Sequence, residues 1–347
     1  MKFNIMSLGD LITDPLSGER TTAARRYQMF PEMAVHAEAA GFNGINMGEH
    51  HGLEYIYSAP AVVLGAIAAR TRTLRLGTAV TLLANLDPFR LAEDYATVDV
   101  LSDGRVDIVG GRGNIFASTY TLFGQKLEDS EDRFAENGRL LNELWTGDPL
   151  HWQGRFRANV NGERLQPPPL QDRKDCLWIA GGGSRRSVEL AAELGWKLML
   201  PSAFGAPANF VSVVEHYFDC WEKAGHAWEP EVGAGWHVWV GGTSEDARKQ
   251  WEQRYRAYFE WMTTLVTKVN TSVPSYQARP FDFEWLTTKG PAVVGSPDEV
   301  VNRIGELSEM LNISTNLVYM DMGGMPESEL FDAIDLFGSK VIPQFDA

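Results

Sequence analysis

Cysteine is scarce in this sequence, with two residues, Cys176 and Cys220, among 347. The two do not form a CxxC pair, and no His/Cys cluster has the spacing of metal ligands. A disulfide framework and a cysteine-based metal site are therefore excluded as organising features of the fold. We expect both cysteines to be reduced, structural thiols and the protein to hold no metal.

Positive charge is scarce as well, because 31 lysines and arginines face 46 aspartates and glutamates, a formal net charge of −15. Nucleic-acid binding depends on basic side chains that neutralise phosphates, so this acidic chain argues against a nucleic-acid partner. The sequence also lacks an apolar run of about eighteen residues that could span a membrane. The apolar part of its N-terminus is too short for a secretory signal, so we expect a cytoplasmic protein.

Hydrophobic residues make up 44% of the sequence, and they form strand-like and helix-like segments in alternation. The predicted strands are residues 3–8, 44–47, 74–83, 105–110, 177–180, 196–200, 235–240 and 316–320. This alternation indicates a parallel sheet, and eight such units favour an α/β fold of the closed (β/α)8 TIM-barrel class over an open sheet. No linker or change of composition divides residues 1–347, so we predict one domain.

Residues 262–291 interrupt the alternation after the seventh predicted helix, residues 243–261. The segment carries three prolines and four aromatic residues, Tyr276, Phe281, Phe283 and Trp285. Long loops inside compact domains are commonly functional. We predict an inserted loop or flap here, and two interpretations stay open: a lid that covers an apolar substrate, or a packed surface excursion or dimer contact.

Reactive side chains follow the second predicted strand directly, in the run Glu49-His50-His51. The C-terminal strand ends are where α/β barrels carry their chemistry, and imidazole is the side chain whose ordinary pKa lies nearest neutrality. We predict that Glu49 and His50 are catalytic, with His50 as a general acid/base. Glu49 either orients the imidazole or contacts the edge of a bound ring. For His51 a structural role and a substrate contact stay open. The alternative for the pair is a polar strand end without a catalytic role.

A glycine turn joins the fifth predicted strand to the next helix, in the run Ala180-Gly181-Gly182-Gly183-Ser184. The free backbone N–H groups of such a turn bind phosphate, although the run is neither a Walker A nor a GxGxxG motif. Ser184 and Ser187 add hydroxyl donors, and Arg112 and Arg133 are candidates to complete the site because guanidinium binds phosphate bidentately. The alternative is a flexible turn with two surface arginines.

Together these segments resemble the bacterial luciferase-like, flavin-dependent monooxygenases over nearly the whole chain. The segments that carry the resemblance are Glu49-His50-His51, residues 76–80, 88–93 and 101–106, the loop 110–113, Arg133, and residues 180–184 and 341–345. In this order and spacing they are strongly specific. The resemblance implies a (β/α)8 barrel that binds reduced FMN at the C-terminal ends of its strands.

The resemblance also implies which residues contact the cofactor. The positions implied for the FMN phosphate are Arg112, Arg133, Gly182, Gly183, Ser184 and Ser187. Thr78, Ala79 and Val80 fall on the strand that lies against the isoalloxazine ring, with a cis peptide between Ala79 and Val80. His50 falls on the catalytic histidine of the luciferase α subunit.

Three positions depart from the luciferase pattern. The reactive cysteine of the luciferase α subunit aligns with Gly111, which argues against light emission tuned in the same way. The acidic residue of the luciferase phosphate loop becomes Gly183. The loop after the third predicted strand, residues 84–87, lacks a histidine that many relatives have, so the resemblance leaves the substrate open.

The implied function is that of a two-component FMN-dependent monooxygenase. Reduced FMN would come from a separate NAD(P)H-dependent flavin reductase, because no NAD(P)-binding module is visible, and O2 would react through a C4a-peroxyflavin to oxidise a small, apolar substrate such as an aldehyde or ketone. An F420-dependent hydride-transfer oxidoreductase and a non-catalytic flavin-binding protein are the alternatives. A homodimer through residues 24–40 and 61–70 is expected, with a heterodimer left open.

Overall fold

A computed structural model describes residues 1–269 and 280–345 of the protein. Within these ranges the chain forms eleven strands: β1 Lys2–Ser7, β2 Gly44–Met47, β3 Arg75–Thr78, β4 Val106–Gly110, β5 Leu150–Trp152, β6 Val160–Glu163, β7 Leu177–Ala180, β8 Lys197–Leu200, β9 Val232–Val240, β10 Ala292–Gly295 and β11 Thr315–Tyr319. Eight of them pair side by side, all parallel, in the order β1-β2-β3-β4-β7-β8-β9-β11. Because β11 pairs with β1 in turn, the sheet closes on itself. The predicted (β/α)8 barrel is confirmed, and its eight strands are the eight predicted from the sequence.

Helices follow the barrel strands and cover the outside of the sheet. They are α1 Ala23–Ala39, α2 Pro60–Ala68, α3 Pro88–Ser102, α4 Ser118–Leu122, α5 Ser130–Leu144, α6 Arg173–Cys176, α7 Arg185–Leu194, α8 Val211–Ala224, α9 Ser244–Val269, α10 Phe283–Thr288, α11 Pro297–Leu311 and α12 Glu327–Lys340. None of the helices in the described ranges is both long and apolar enough to cross a membrane.

The third strand is shorter than predicted. It ends at Thr78 rather than at residue 83 because the chain turns, and Leu83 N–H donates to the Thr81 carbonyl at 2.9 Å. The peptide between Ala79 and Val80 is cis, as the resemblance implies. The turn therefore carries residues 79–82 along the rim of the barrel instead of continuing the sheet, with Thr81 and Leu82 buried.

The predicted insertion starts too early. Helix α9 runs on past Trp261 to Val269, because Tyr255, Tyr258, Met262 and Val266 continue one buried face at helical spacing. After it come α10 and the strand β10, which pairs in parallel with the second half of β9 and which the sequence analysis missed. Residues 270–279, the remainder of the predicted flap, lie outside the described residues, so a lid there stays a prediction.

Buried polar side chains tie the first three strands together inside the barrel. Asn4 Nδ2 donates to Asn46 Oδ1 at 2.9 Å, and Asn46 Nδ2 donates to the Thr78 carbonyl at 2.9 Å. Both amides are almost fully buried, so each needs these bonds to offset the loss of water. The ladder fixes the register of β1, β2 and β3 on the side of the barrel that carries Glu49 and His50.

A buried ion pair anchors α1 to the seam where β11 meets β1. Arg26 Nη1 donates to Asp321 Oδ1 at 2.5 Å, and Ser7 Oγ donates to the other oxygen of the same carboxylate. Beside them Asp10 accepts from Tyr319 Oη at 2.6 Å, and burial raises the pKa of Asp10 to about 6. Because the arginine reaches residues after both terminal strands, it holds the barrel closed at its C-terminal rim.

His237 of β9 is buried among tyrosines, which makes it a probe of the barrel interior. It is 1% exposed, its Nε2 lies 3.1 Å from the Ala203 carbonyl oxygen, and its ring packs against Tyr255 and Tyr319. Burial lowers the pKa of His237 to about 3. The folded state therefore keeps this imidazole neutral at pH values where an unfolded chain protonates it.

We predict that His237 makes the protein less stable as the pH falls below about 6.5, the ordinary pKa of histidine. Between pH 7.0 and 5.5 the unfolded state gains a proton that the folded state does not, a loss of about 1 kcal/mol from this residue. Urea unfolding at the two pH values measures the loss. In His237→Gln, which keeps a donor for Ala203 but cannot ionise, the loss is expected to shrink by that amount.

The exposed His151 of β5 provides the matched control. His151→Gln is expected to keep the pH dependence of the wild type. If His237→Gln and the wild type lose equal stability between the two pH values, His237 is not a buried neutral imidazole.

Candidate active site

A cavity of about 470 Å³ opens where the C-terminal ends of β1, β2, β3, β4, β7 and β8 meet. Nine of the eleven predicted site residues line it: Glu49, His50, Ala79, Val80, Arg112, Gly182, Gly183, Ser184 and Ser187. Parallel strands bring residues from distant parts of the chain to one rim, which is where (β/α)8 enzymes carry their sites. The cavity is thus the candidate active site.

Glu49 is a buried carboxylate held by groups from two loops. Its Oε2 accepts from Thr81 Oγ1 at 2.7 Å and from the Leu82 backbone N–H at 2.9 Å. Its Oε1 lies 2.8 Å from His51 Nε2, and the residue as a whole is 3% exposed. These bonds join the loop after β2 to the turn after β3.

The partner of Glu49 corrects one expectation. The sequence predicts Glu49 as a residue that orients His50, whereas its carboxylate contacts His51, whose ring packs edge-on against Phe123 at 4.9 Å. The other carboxylate oxygen of Glu49 is engaged by Thr81 and the Leu82 N–H. His51 therefore has a clear structural contact, and His50 is oriented by other groups.

His50 is held by packing and by one backbone bond. Its ring stacks on Tyr55 with centroids 4.1 Å apart and meets Phe116 edge-on at 5.6 Å. Burial and the neighbouring His51 lower the pKa of His50 to about 3, against a hydrogen bond to the Leu8 backbone. The Nδ1 atom is buried without a hydrogen-bond partner. At neutral pH the cavity wall thus contains a neutral imidazole with one unused nitrogen.

The part of the cavity wall after β4 and β7 is polar and contains a guanidinium. We call it the polar end of the cavity. Arg112, after β4, lies with its Nη1 3.5 Å from Glu131 Oε1, and Ser184 Oγ donates to the same oxygen at 2.6 Å. Arg186 Nη1 lies 3.8 Å from the other oxygen of Glu131. The predicted anion site therefore combines Arg112 and Ser184, and it also includes a carboxylate that the sequence analysis did not consider.

In the turn after β7, close packing requires a glycine at position 182. A Cβ on this residue would lie 2.9 Å from Phe210 Cε1 and from Pro201 Cδ. At Gly183 a Cβ would meet nothing within 4 Å. The turn therefore packs against the segment after β8 at one residue and faces open space at the next, as a backbone that binds a ligand directly would do.

A family model described as luciferase-like monooxygenase matches residues 1–312 of the chain. The chain belongs to the luciferase-like monooxygenase family. It is 26% identical over 329 residues to 4-hydroxyprotoasukamycin monooxygenase of Streptomyces nodosus, covering 91% of this chain and 86% of that one. It is 25% identical over 259 residues to the oxygenase component of the flavin-dependent trigonelline monooxygenase of Acinetobacter baylyi, covering 72% and 67%. Membership of this family confirms the prediction of a flavin-dependent monooxygenase in these general terms.

Solved structures with the same fold include enzymes of two cofactor classes. A monooxygenase from Streptomyces bottropensis superimposes with a TM-score of 0.83 at 25% identity, over 99% of this chain and 100% of that one. The oxygenating component of 3,6-diketocamphane monooxygenase from Pseudomonas putida, in complex with FMN, gives 0.78 at 18%, over 99% and 98%. The F420-dependent tetrahydromethanopterin reductase of Methanopyrus kandleri gives 0.74 at 19%, over 99% of each chain. At the lower two identities the likeness is one of fold.

Two predicted cofactor residues, Thr78 and Arg133, lie outside the cavity wall of this luciferase-like chain. Thr78 is buried, and its hydroxyl both donates to the Val109 carbonyl at 3.2 Å and accepts from the Val109 N–H at 2.9 Å. Arg133 lies over the Phe156 ring at 4.6 Å, and its Nε is buried without a partner. Thr78 joins β3 to β4. Burial raises the pKa of the Tyr120 hydroxyl to about 12, and the nearby charge of Arg133 opposes part of that rise.

The apolar part of the wall was mostly missed from the sequence. It comes from Leu8, Tyr55, Leu82, Ile115, Phe116, Phe204, Phe210 and Met262. Only Met262 belongs to the predicted flap among the described residues, and Phe281 packs instead against Tyr255 and Phe259. The aromatic residues in the loops after β2, β4 and β8 could have been predicted as cavity residues, because each of these loops reaches the same rim.

Gly111 faces the side chain of Val80 across the gap between β4 and β3. A Cβ on Gly111 would lie 2.3 Å from Val80 Cγ2 and 2.9 Å from Val80 Cβ. Contacts under 3 Å require something to move, so a side chain at position 111 and a valine at position 80 exclude one another. The departure from the luciferase cysteine therefore has a local physical reason in this chain.

We predict that Gly111→Ala destabilises the protein by about 1–3 kcal/mol, the usual cost of overpacking a well-packed site. Adding Val80→Ala removes the closest methyl and is expected to restore at least half of the loss. Urea unfolding of the two single variants and the double variant measures the coupling.

Gly183→Ala is the matched control, because its Cβ would enter open space. Its free energy of unfolding is expected to stay within about 0.5 kcal/mol of the wild type. Additive effects of Gly111→Ala and Val80→Ala would contradict the proposed exclusion.

Proposed function

We propose that the protein is the oxygenase component of a two-component, FMN-dependent monooxygenase that acts on a small, apolar substrate. The observation that carries the proposal is the division of one cavity into two chemically different ends. Arg112 and Ser184 form a polar end suited to a phosphate, and His50 lies at an end walled by apolar side chains. Reduced flavin, when bound, supplies the electrons with which O2 is split, one atom entering the substrate and the other leaving as water.

The residues of the cavity fit a flavin phosphate in their donor chemistry. Arg112 and Ser184 already hold one carboxylate oxygen, which shows that both donors can converge on a single anionic oxygen. The backbone of Gly183 faces open space, and the Ser187 hydroxyl lines the cavity from the first turn of α7. Arg133 is a weaker candidate, since it lies outside the wall.

The walls nearer His50 fit a flat, largely apolar ring. Ala79, Val80 and Gly111 present small or apolar groups at the rim, and the aromatic residues Tyr55 and Phe116 lie behind His50. Such a setting excludes water, which strengthens any polar contact made by the one free imidazole nitrogen. We propose that the flavin ring lies against this part of the wall.

His50 is proposed as the group that takes up and returns a proton during oxygen transfer. Burial lowers the pKa of His50 to about 3, so the imidazole is neutral at rest. To take up a proton it would need a bound anion beside it that raises this pKa toward neutrality. Glu49 supports this role indirectly, by fixing the two loops between which the His50 ring lies.

The substrate is proposed to be apolar, such as an aldehyde or a ketone. In the described wall of the cavity the formally charged side chains are Glu49, which three donors already engage, and Arg112 at the phosphate end. A charged substrate would therefore lack a free counter-ion near His50. The relatives differ in substrate, so their names support the reaction class and not one compound.

Reduced FMN is proposed to arrive from a separate flavin reductase. The trigonelline relative is named as an oxygenase component, which supports a two-component arrangement. We propose that the protein is cytoplasmic and forms a homodimer through α1 and α2. Val62 on α2 is 74% exposed, which supports a contact at this helix.

A second candidate function is F420-dependent hydride transfer, which the shared fold of an F420-dependent reductase favours. Anaerobic titration with reduced FMN and, separately, reduced F420, followed by mixing with oxygenated buffer, separates the two. We expect reduced FMN to bind and O2 to be consumed with oxidation of the flavin. Preference for F420 without oxygen uptake would establish the second candidate, and bound FMN without any reactivity would point to a non-catalytic flavin-binding protein.

We predict that His50→Ala lowers product formation about 10²- to 10⁴-fold, the usual contribution of a general acid/base. The assay couples the protein to a flavin reductase and follows products from a panel of aldehydes and ketones. FMN affinity is expected to stay within about threefold, because His50 lies away from the phosphate end.

The control is His216→Ala, which removes an imidazole on α8 that pairs with Glu189 outside the cavity. Its turnover is expected to match that of the wild type. Unchanged turnover in His50→Ala would remove His50 from the mechanism while leaving the FMN proposal in place.

A further inference from the structure

Glu131 has its carboxylate between the groups proposed to bind the phosphate. It lies in the first turn of α5, where Ser184 Oγ donates to its Oε1 at 2.6 Å and Arg112 Nη1 lies 3.5 Å from the same oxygen. One carboxylate oxygen thus contacts both Ser184, the N-cap residue of α7, and Arg112, which follows β4. Glu131 is 37% exposed, so it can leave this position toward solvent.

A phosphate and the Glu131 carboxylate compete for the Ser184 hydroxyl and for the positive charge of Arg112. Ser184 has one hydroxyl proton to donate, and it is already directed at Glu131. A phosphate dianion beside the carboxylate would also face a like charge at contact distance, which disfavours both. Binding of a phosphate ester at this end therefore requires Glu131 to move away.

The structure also provides a place to which Glu131 can move. Arg186 Nη1 lies 3.8 Å from Glu131 Oε2, the oxygen that Ser184 does not contact, and Arg186 is 52% exposed. Arg186 also forms an ion pair with Asp132 at 2.7 Å, so it already pairs with a carboxylate from this turn of α5. A rotation of one side chain would keep the Glu131 charge paired while freeing Arg112 and Ser184.

We propose that Glu131 is a specificity-determining residue that acts as a displaceable internal anion in the phosphate site. It keeps Arg112 and Ser184 paired when no cofactor is bound, and a phosphate ester must displace it. The consequence is a weaker and more readily reversible hold on FMN, as suits a cofactor exchanged with another protein. The inference rests on the proposed function, since it assumes that the polar end binds the flavin phosphate.

The test compares FMN with riboflavin, which has the same ring and no phosphate. Oxidised FMN and riboflavin are titrated into the full-length protein, and binding is followed by flavin fluorescence, so that no turnover is required. Glu131→Gln keeps the size and one hydrogen bond but removes the charge. We expect it to bind FMN about three- to thirtyfold more tightly than the wild type, the range for one partly exposed charged hydrogen bond, with riboflavin affinity unchanged.

Asp132→Asn is the matched control. It removes the same charge from the same turn of α5, but Asp132 contacts Arg186 and Arg155 and neither Ser184 nor Arg112. Its FMN affinity is expected to change by less than about twofold. An equal gain in both variants would show a general charge effect and would overturn the role of Glu131.

The remaining outcomes also decide the matter. If Glu131→Gln binds FMN no more tightly than the wild type does, or gains equally for FMN and riboflavin, the inference is overturned. FMN binding by the wild type would still support the proposed cofactor in that case. Failure of the wild type to bind FMN in either oxidation state would reject the cofactor proposal itself, and the inference with it. Glu131→Asp, which keeps the charge on a shorter side chain, is expected to lie closer to the wild type than Glu131→Gln does.

Discussion

The buried carboxylate of Glu49 constrains the catalytic rim more than any other single group. A charge removed from water is tolerated only where several donors replace the lost hydration, and Glu49 has three. Two of these belong to the turn after β3 and one to the loop after β2. The path of the chain through residues 79–82 and the position of His51 are therefore fixed together. His50 is left free to stack on Tyr55, with an unused nitrogen in the wall of the cavity.

The net charge of the whole chain disfavours anion binding at the polar end of the cavity. With a net charge of −15, the protein as a whole repels phosphate esters, so a phosphate site needs a local concentration of positive charge. Arg112 and Arg186 provide it where the N-termini of α5 and α7 also point. The Glu131 carboxylate lies between these arginines and reduces their field. The balance of these charges sets how firmly an anion is held.

Much of the fold and most of the candidate site were predictable from the sequence, for a topological reason. Parallel strands end at one rim, so a residue's place directly after a strand fixes its approximate position without knowledge of side-chain contacts. Glu49, His50, Arg112 and Ser184 were all located in this way. What could not be predicted were pairings across loops, such as Glu49 with His51, because they depend on the direction in which each side chain leaves a short loop. The direction of the Thr78 side chain could not be predicted for the same reason, and its hydroxyl bonds to β4.

The pairing of Gly111 with Val80 shows how the rim can change while its packing is conserved. The resemblance places a cysteine of the luciferase α subunit at position 111, yet here the volume beside β4 is filled by a valine from the turn after β3. Close-packed interiors have no room for both, so a side chain lost from one strand can be replaced from its neighbour. At this point of the wall the chain has a hydrocarbon side chain, where the resemblance implies a thiol. The packing of this rim is thus compatible with more than one chemistry, and the side chains at positions 80 and 111 must be considered as a pair when substrates of such proteins are compared.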